Sequence, residues 1–139
     1  MADETAIRKV LDDSGIAFSK RDLNAFGSLF IKSPELYYQV YTGDEMVILA
    51  HGWEAMTRMV GGYMKDNPPS NDVKMMASDH KLHIDGAAAW VSAHNDWVLP
   101  GGKKGFSRDF IVLEKQQGTW KIAALTSQNY AEGKFVEVK

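Results

Sequence analysis

The stretch WVSAHNDWVL, Trp90 to Leu99, holds the most chemistry in the shortest space. It reads as a β-strand: β-branched and aromatic residues, no proline before Pro100, and a Gly-Gly turn just beyond. Strand side chains alternate between faces, so Trp90, Ser92, His94, Asp96 and Val98 share one face and Val91, Ala93, Asn95 and Trp97 the other. A His near an Asp gains basicity and can move protons near neutral pH. With Trp90 as a pocket wall, His94 would be a general base and Asp96 would orient it. The same row also suits a wet sheet surface or a dimer interface, and a β-bulge would swap the faces midway.

The other imidazoles point to less. His80 and His83 in SDHKLHID fall on opposite faces. His80 shares a face with Leu82 and Ile84, as a core imidazole or as a group near a pocket. His80, His83, His94 and Asp96 lack convincing ligand spacing, so neither a metal nor another cofactor is expected.

Length and composition set the frame. The 139 residues suit a single domain spanning 1–139. A chain of this size buries about 70% of its unfolded surface and needs no staples. The absence of Cys rules out disulfides and thiol catalysis. A net charge of −2, with Lys103-Lys104 in a Gly-rich turn as the main basic cluster, argues against a nucleic-acid partner. No apolar run is long enough to span a membrane. MADETAIRKV lacks a signal core, so a cytoplasmic location is expected.

The elements follow from periodicity. Ile7, Val10, Leu11, Ser14, Ala17 and Phe18 give one stripe of a helix over 4–21, with Asp3 as its N-cap. A short helix over 23–30 is capped by Asp22 and stopped by Pro34. Strands over 36–41 and 46–50 form a hairpin, and a third helix covers 53–65. Gly52 permits the tight turn before Trp53. Period-two alternation then predicts four long strands over 73–84, 87–99, 104–115 and 119–130. Their connections are too short for parallel crossovers, which predicts an antiparallel meander and an α+β class.

In this order, KRDLNAFGSLF, HGWEAM, AAAWVS, SRDFIVLEK and GTWKIAALTS resemble the nuclear transport factor 2-like superfamily in its SnoaL-like branch, which includes ketosteroid isomerase and polyketide cyclases. The resemblance covers roughly Glu4 to Tyr130. It implies a cone-shaped, strongly curved antiparallel sheet wrapped around three helices, a cystatin-like roll whose mouth leads to a hydrophobic pocket. It also implies that Trp120 and Ile122 face the pocket, and by parity Thr126 and Gln128 with them. Relatives often carry a His and a Ser where Thr126 and Gln128 stand, so His-based proton transfer from that strand is unavailable. The same alignment turns Arg108, Phe110 and Val112 inwards and Ser107, Asp109 and Ile111 outwards. An inward Arg108 would pair with Asp96 or contact a ligand. The isomerase's two carboxylates have no counterpart: LYYQVYTG has none before Asp44, and Phe110 stands at the position of its protonated acid.

These readings make Trp90, Phe110, Trp120, Thr126, Gln128, Tyr38 and Tyr63 candidate ligand-binding residues, with His94, Asp96 and Arg108 as the candidate catalytic set. The expected function is binding of a small hydrophobic or aromatic ligand in the cone, within a homodimer. The alternatives are a cyclase, isomerase or dehydratase using His94 and Asp96, with Arg108 or a Tyr stabilising an enolate oxygen, and a homodimeric assembly module. On an outward face, Trp97 would be the dimer contact.

Overall fold

The computed structural model describes residues 2–70, 74–98 and 100–139. The expectations for Val73 and Leu99 lie outside the described residues.

Helix α1, Ala2–Ser19, begins earlier than its apolar stripe required. Asp3 is therefore not its cap but a first-turn residue. Its carboxylate accepts from Trp120 Nε1 at 3.0 Å and Lys115 Nζ at 2.9 Å, which ties the helix start to the sheet. Arg21, at φ 58°, reverses the chain. Asp22 then caps α2, Leu23–Gly27, where its Oδ1 accepts from Ala25 N at 3.0 Å. Strands β1, Tyr37–Tyr41, and β2, Val47–His51, form the predicted hairpin. Gly52 sits at φ 99°, where a side chain is strained, and turns the chain into α3, Trp53–Asp66.

The meander follows as β3, Lys74–Asp85, β4, Ala88–Val98, β5, Lys104–Gln116, and β6, Thr119–Tyr130. Gln117 and Gly118 both have positive φ at the β5–β6 turn, the form that matches strand twist. The curved six-stranded sheet has the order β2-β1-β6-β5-β4-β3 and does not close into a barrel. It is not wholly antiparallel: β1 runs parallel to β6, because a crossover through β2 and α3 separates the hairpin from the meander. Among the described residues, no helix is long and apolar enough to cross a membrane.

The core fills the space between the helices and the concave face. Ile7, Phe30, Leu36, Met56, Val91, Leu113 and Ile122 are almost fully buried. Each such side chain contributes about 1.5–3 kcal/mol through water exclusion. A β-bulge decides which residues join them. Leu113 pairs with Ile122 but Val112 pairs with Ala124, so Ala123 is an extra residue in β6. Before it Trp120 and Ile122 face inwards; beyond it Leu125, Ser127 and Asn129 do.

Candidate functional site

On β4 the small apolar residues Ala89, Val91 and Ala93 are buried, and Asn95 continues that face. On β5 the same face carries Leu113, Ile111, Asp109 and Ser107. The inner wall therefore begins apolar and becomes polar along the strands. Asn95 Nδ2 donates to Asp109 Oδ2 at 3.0 Å and to Ser107 Oγ at 3.3 Å. Ser127 of β6 stands opposite Asp109 on the same face. The other Asp109 oxygen, Oδ1, is buried and has no hydrogen-bond partner. Burial pushes the Asp109 carboxyl above the usual aspartate range, and Ser127, Asn95 and the charge of Arg108 only partly oppose this. Tyr38, buried in the core with its ring edge-on to Phe30 at 5.9 Å, feels the same site. Burial, and then the charge of Asp109, hold its phenol protonated far above the usual range.

Asp109 was expected to face outwards and Arg108, Phe110 and Val112 inwards; the structure reverses both. The alignment set β5 one residue out of phase: Leu113 and Ile111 pair with inward Ile122 and Leu125, and Asp109 and Ser107 continue that face. Thr126 and Gln128 are displaced by the bulge at Ala123: they pair with Phe110 and Arg108 on the outer face. Trp120 and Tyr38 do face inwards. Trp120 is 2% exposed, with its indole N–H donating to Asp3, so it packs against α1. Tyr63 lies on the helical exterior, 49% exposed, stacked on Phe18 at 5.6 Å with the Arg21 guanidinium over its ring.

The row from Trp90 to Asp96 lies on the outer face of the sheet. Trp90 is 40% exposed and stacks on His83, its cross-strand neighbour, at 4.2 Å between ring centres. His94 and Asp96 do come together, with Nε2 3.4 Å from Oδ1, in ion-pair range but outside hydrogen-bond geometry. His94 Nε2 shares a 2.5 Å hydrogen bond with the Tyr130 hydroxyl. Arg108 is the cross-strand partner of His94. Phe135, from the C-terminal segment, closes over both: its ring stacks on His94 at 5.7 Å and lies 5.2 Å beneath the Arg108 guanidinium. Burial and the charge of Asp96 raise the Tyr130 phenol above its ordinary range. The expected trio therefore converges, but on the face turned from the helices. Trp97 shares the inner face with Asn95, so the expectation of an outward Trp97 is also corrected.

His80 shares its face with buried Ala93, as its parity with Leu82 and Ile84 required. Burial lowers its imidazole below the ordinary range, and Asp12 and Arg8 of α1 act on it with opposite signs. Among the described residues, no group of three His, Asp or Glu side chains could hold a metal ion.

The polar inner residues Asn95, Ser107, Asp109 and Ser127 were missed as site candidates. The available signal was their position on strands whose opposite register holds the His, Arg and Lys residues. A half-buried sheet turns its charges outwards, which leaves Asp109 as an inward exception.

No protein-family model matches the chain, and no curated protein matches it by sequence. Solved structures do match. An NTF2-like protein of unknown function from Pseudomonas putida KT2440 aligns over 99% of this chain and 96% of its own, at 16% identity and a TM-score of 0.77. A protein of unknown function with a cystatin-like fold from Nostoc punctiforme aligns over 97% and 96%, at 12% identity and a TM-score of 0.77. A protein from Streptomyces avermitilis, provisionally described as a dehydratase of the NTF2-like family, aligns over 91% and 95%, at 12% identity and a TM-score of 0.70. At these identities the likeness is one of architecture. Six curved strands around three helices, matched nearly end to end by such structures, give this chain the nuclear transport factor 2-like, cystatin-like fold.

Proposed function

We propose that the chain binds a small, largely apolar molecule carrying a carbonyl or similar acceptor oxygen inside the cone, with the Asp109 carboxyl donating a hydrogen bond to it. The observation that carries this reading is the buried, unpartnered Oδ1 of Asp109. A buried polar atom without a partner costs about 1–3 kcal/mol, so a native structure that keeps one calls for a reason. Burial already raises the pKa of this carboxyl, and a hydrogen bond to an acceptor oxygen raises it further, so the ligand would bind the protonated form. The half-buried Leu125, Val40 and Trp97 on the same inner face suit a hydrophobic body with one polar end. His94 and Asp96 are not favoured as its acid/base unit, because both lie on the opposite face.

The test is a thermal-shift screen of planar polyketides, steroids, terpenoids and small aromatic acids. A ligand at 100 times its dissociation constant adds about 2.7 kcal/mol, several degrees for a domain of this size. The shift is expected to survive Asp109→Asn, which keeps a donor, and to vanish in Asp109→Leu. No shift with any compound, or a shift unchanged in Asp109→Leu, would overturn the proposal.

A second reading, a homodimer through the outer sheet face, is favoured by the exposed Trp90, Phe110, Val47 and Leu49 on that face. The double variant Trp90→Ala with Phe110→Ala should sediment as a monomer at concentrations where the parent is a dimer. A monomeric parent would refute this reading.

A further inference from the structure

On the helical side, away from both sheet faces described above, α2 and the start of α3 enclose a surface cleft of about 480 Å³. It is lined by Leu23, Asn24, Ser28, Lys32, Trp53 and Thr57. Such a volume lies within the usual range for small-molecule sites.

The wall chemistry is selective. The Trp53 indole N–H is spent on the Gly27 carbonyl at 2.9 Å, so the ring is fixed and offers only apolar surface. Gly27 makes the fit possible, since a Cβ there would lie 3.3 Å from Trp53 Cζ2. The Ser28 and Thr57 hydroxyls donate to the carbonyls of Ala25 and Glu54, at 2.7 and 2.9 Å. Their protons are committed, so towards the cleft their oxygens can only accept. Among the described residues, no carboxylate pairs with Lys32, whose ammonium stands 4.9 Å from the centre of the Trp53 ring. A second cation, Lys121, reaches the same corner by donating to the Ser28 carbonyl at 2.5 Å.

The cleft therefore asks for three things at once: an anionic group at Lys32, hydroxyl donors at Ser28 and Thr57, and a ring or carbon skeleton against Trp53 and Leu23. We propose that this cleft between α2 and α3 is a binding site for a small hydroxylated carboxylate of the sugar-acid class. Its occupancy is independent of the cone.

The probe is sodium D-glucuronate, titrated into isotopically labelled protein while the Trp53 indole N–H resonance is followed. The neutral methyl glucoside and inorganic phosphate serve as comparators. Glucuronate should move the Trp53 signal saturably, and Lys32→Gln should weaken it about tenfold, the loss of one charge-assisted contact. The neutral glycoside and phosphate should each bind more weakly than glucuronate, because each supplies only part of the required chemistry. Absence of a saturable shift, or an unchanged affinity in Lys32→Gln, would overturn the site. A glycoside or phosphate that matches glucuronate would overturn the ligand class. Lys32 is exposed, and the unperturbed resonances of the sheet report that the variant is folded.

Discussion

Replacing Asp109 by Asn should stabilise the protein at neutral pH. The carboxyl is largely buried; Oδ2 takes a bond from Asn95 at 3.0 Å, while Oδ1 has no partner. Burial raises its folded-state pKa above the unfolded value of 3.8. Between those two values the folded protein keeps a proton that the unfolded chain has lost. Stability therefore falls as pH rises through that interval and levels off above it. Each unit of elevation corresponds to about 1.4 kcal/mol. An amide of the same shape never ionises and can keep the bond from Asn95 through its oxygen. The gain at pH 7 should be on the order of 1 kcal/mol, the cost of ionising the buried carboxyl, because the amide nitrogen inherits the unpartnered position of Oδ1. For a domain of this length that is roughly 3–5 °C in Tm for each kcal/mol. The assay is thermal unfolding of both proteins from pH 3.5 to 8. The variant's advantage should be small at the acid end, grow as pH rises and then plateau. A variant that is less stable at pH 7, or a difference that does not change with pH, would refute the reasoning. A residue that lowers stability where it stands is what a binding or catalytic role leaves behind.

Three further outcomes follow from the geometry. Gly52→Ala should destabilise by about 1–3 kcal/mol in chemical denaturation, because φ 99° is strained for any side chain, although a Cβ would meet Pro34 only at an ordinary 3.5 Å. Trp120→Phe removes one of the two donors that hold the Asp3 carboxyl below its ordinary range; Lys115 is the larger. The stability from that lowered pKa is present above the unfolded value and is lost as pH falls through the folded one, so the variant should lose less on acidification to pH 3. Phe135→Ala removes the ring that stacks on His94 and lies under Arg108, so amides in 131–139 should exchange measurably faster, while those of β4 and β5 stay protected.

The elements were legible because their signals are local. Asp22 announces α2, Gly52 the turn into α3, and Gln117-Gly118 the last hairpin. The facing of the strands was less legible. Periodicity sorts residues into two sets but does not say which set is inside, and both sets on β5 contain large apolar groups: Phe106, Phe110 and Val112 against Ile111 and Leu113. Trp120 and Ile122 were correctly turned inwards, yet one extra residue, Ala123, moved Thr126 and Gln128, carried from them by parity, to the outer face. A bulge has no strong sequence mark, and a shift of one residue moves a whole row to the other face. The row from Trp90 to Asp96 obeyed a simpler rule. Its polar members stand opposite Ala89, Val91 and Ala93, and the small apolar residues are the buried ones. The parallel pairing of β1 with β6 is a long-range contact without any local signature.

The most direct test of the central claim is a carbon-13 NMR titration of the Asp109 side-chain carboxyl. The account predicts a carboxyl that titrates above the ordinary aspartate range, and whose signal moves when a cone ligand binds. An Asp109 that titrates in or below that range would be an ordinary ionised carboxylate with no proton to offer, and the proposed site would lose its donor.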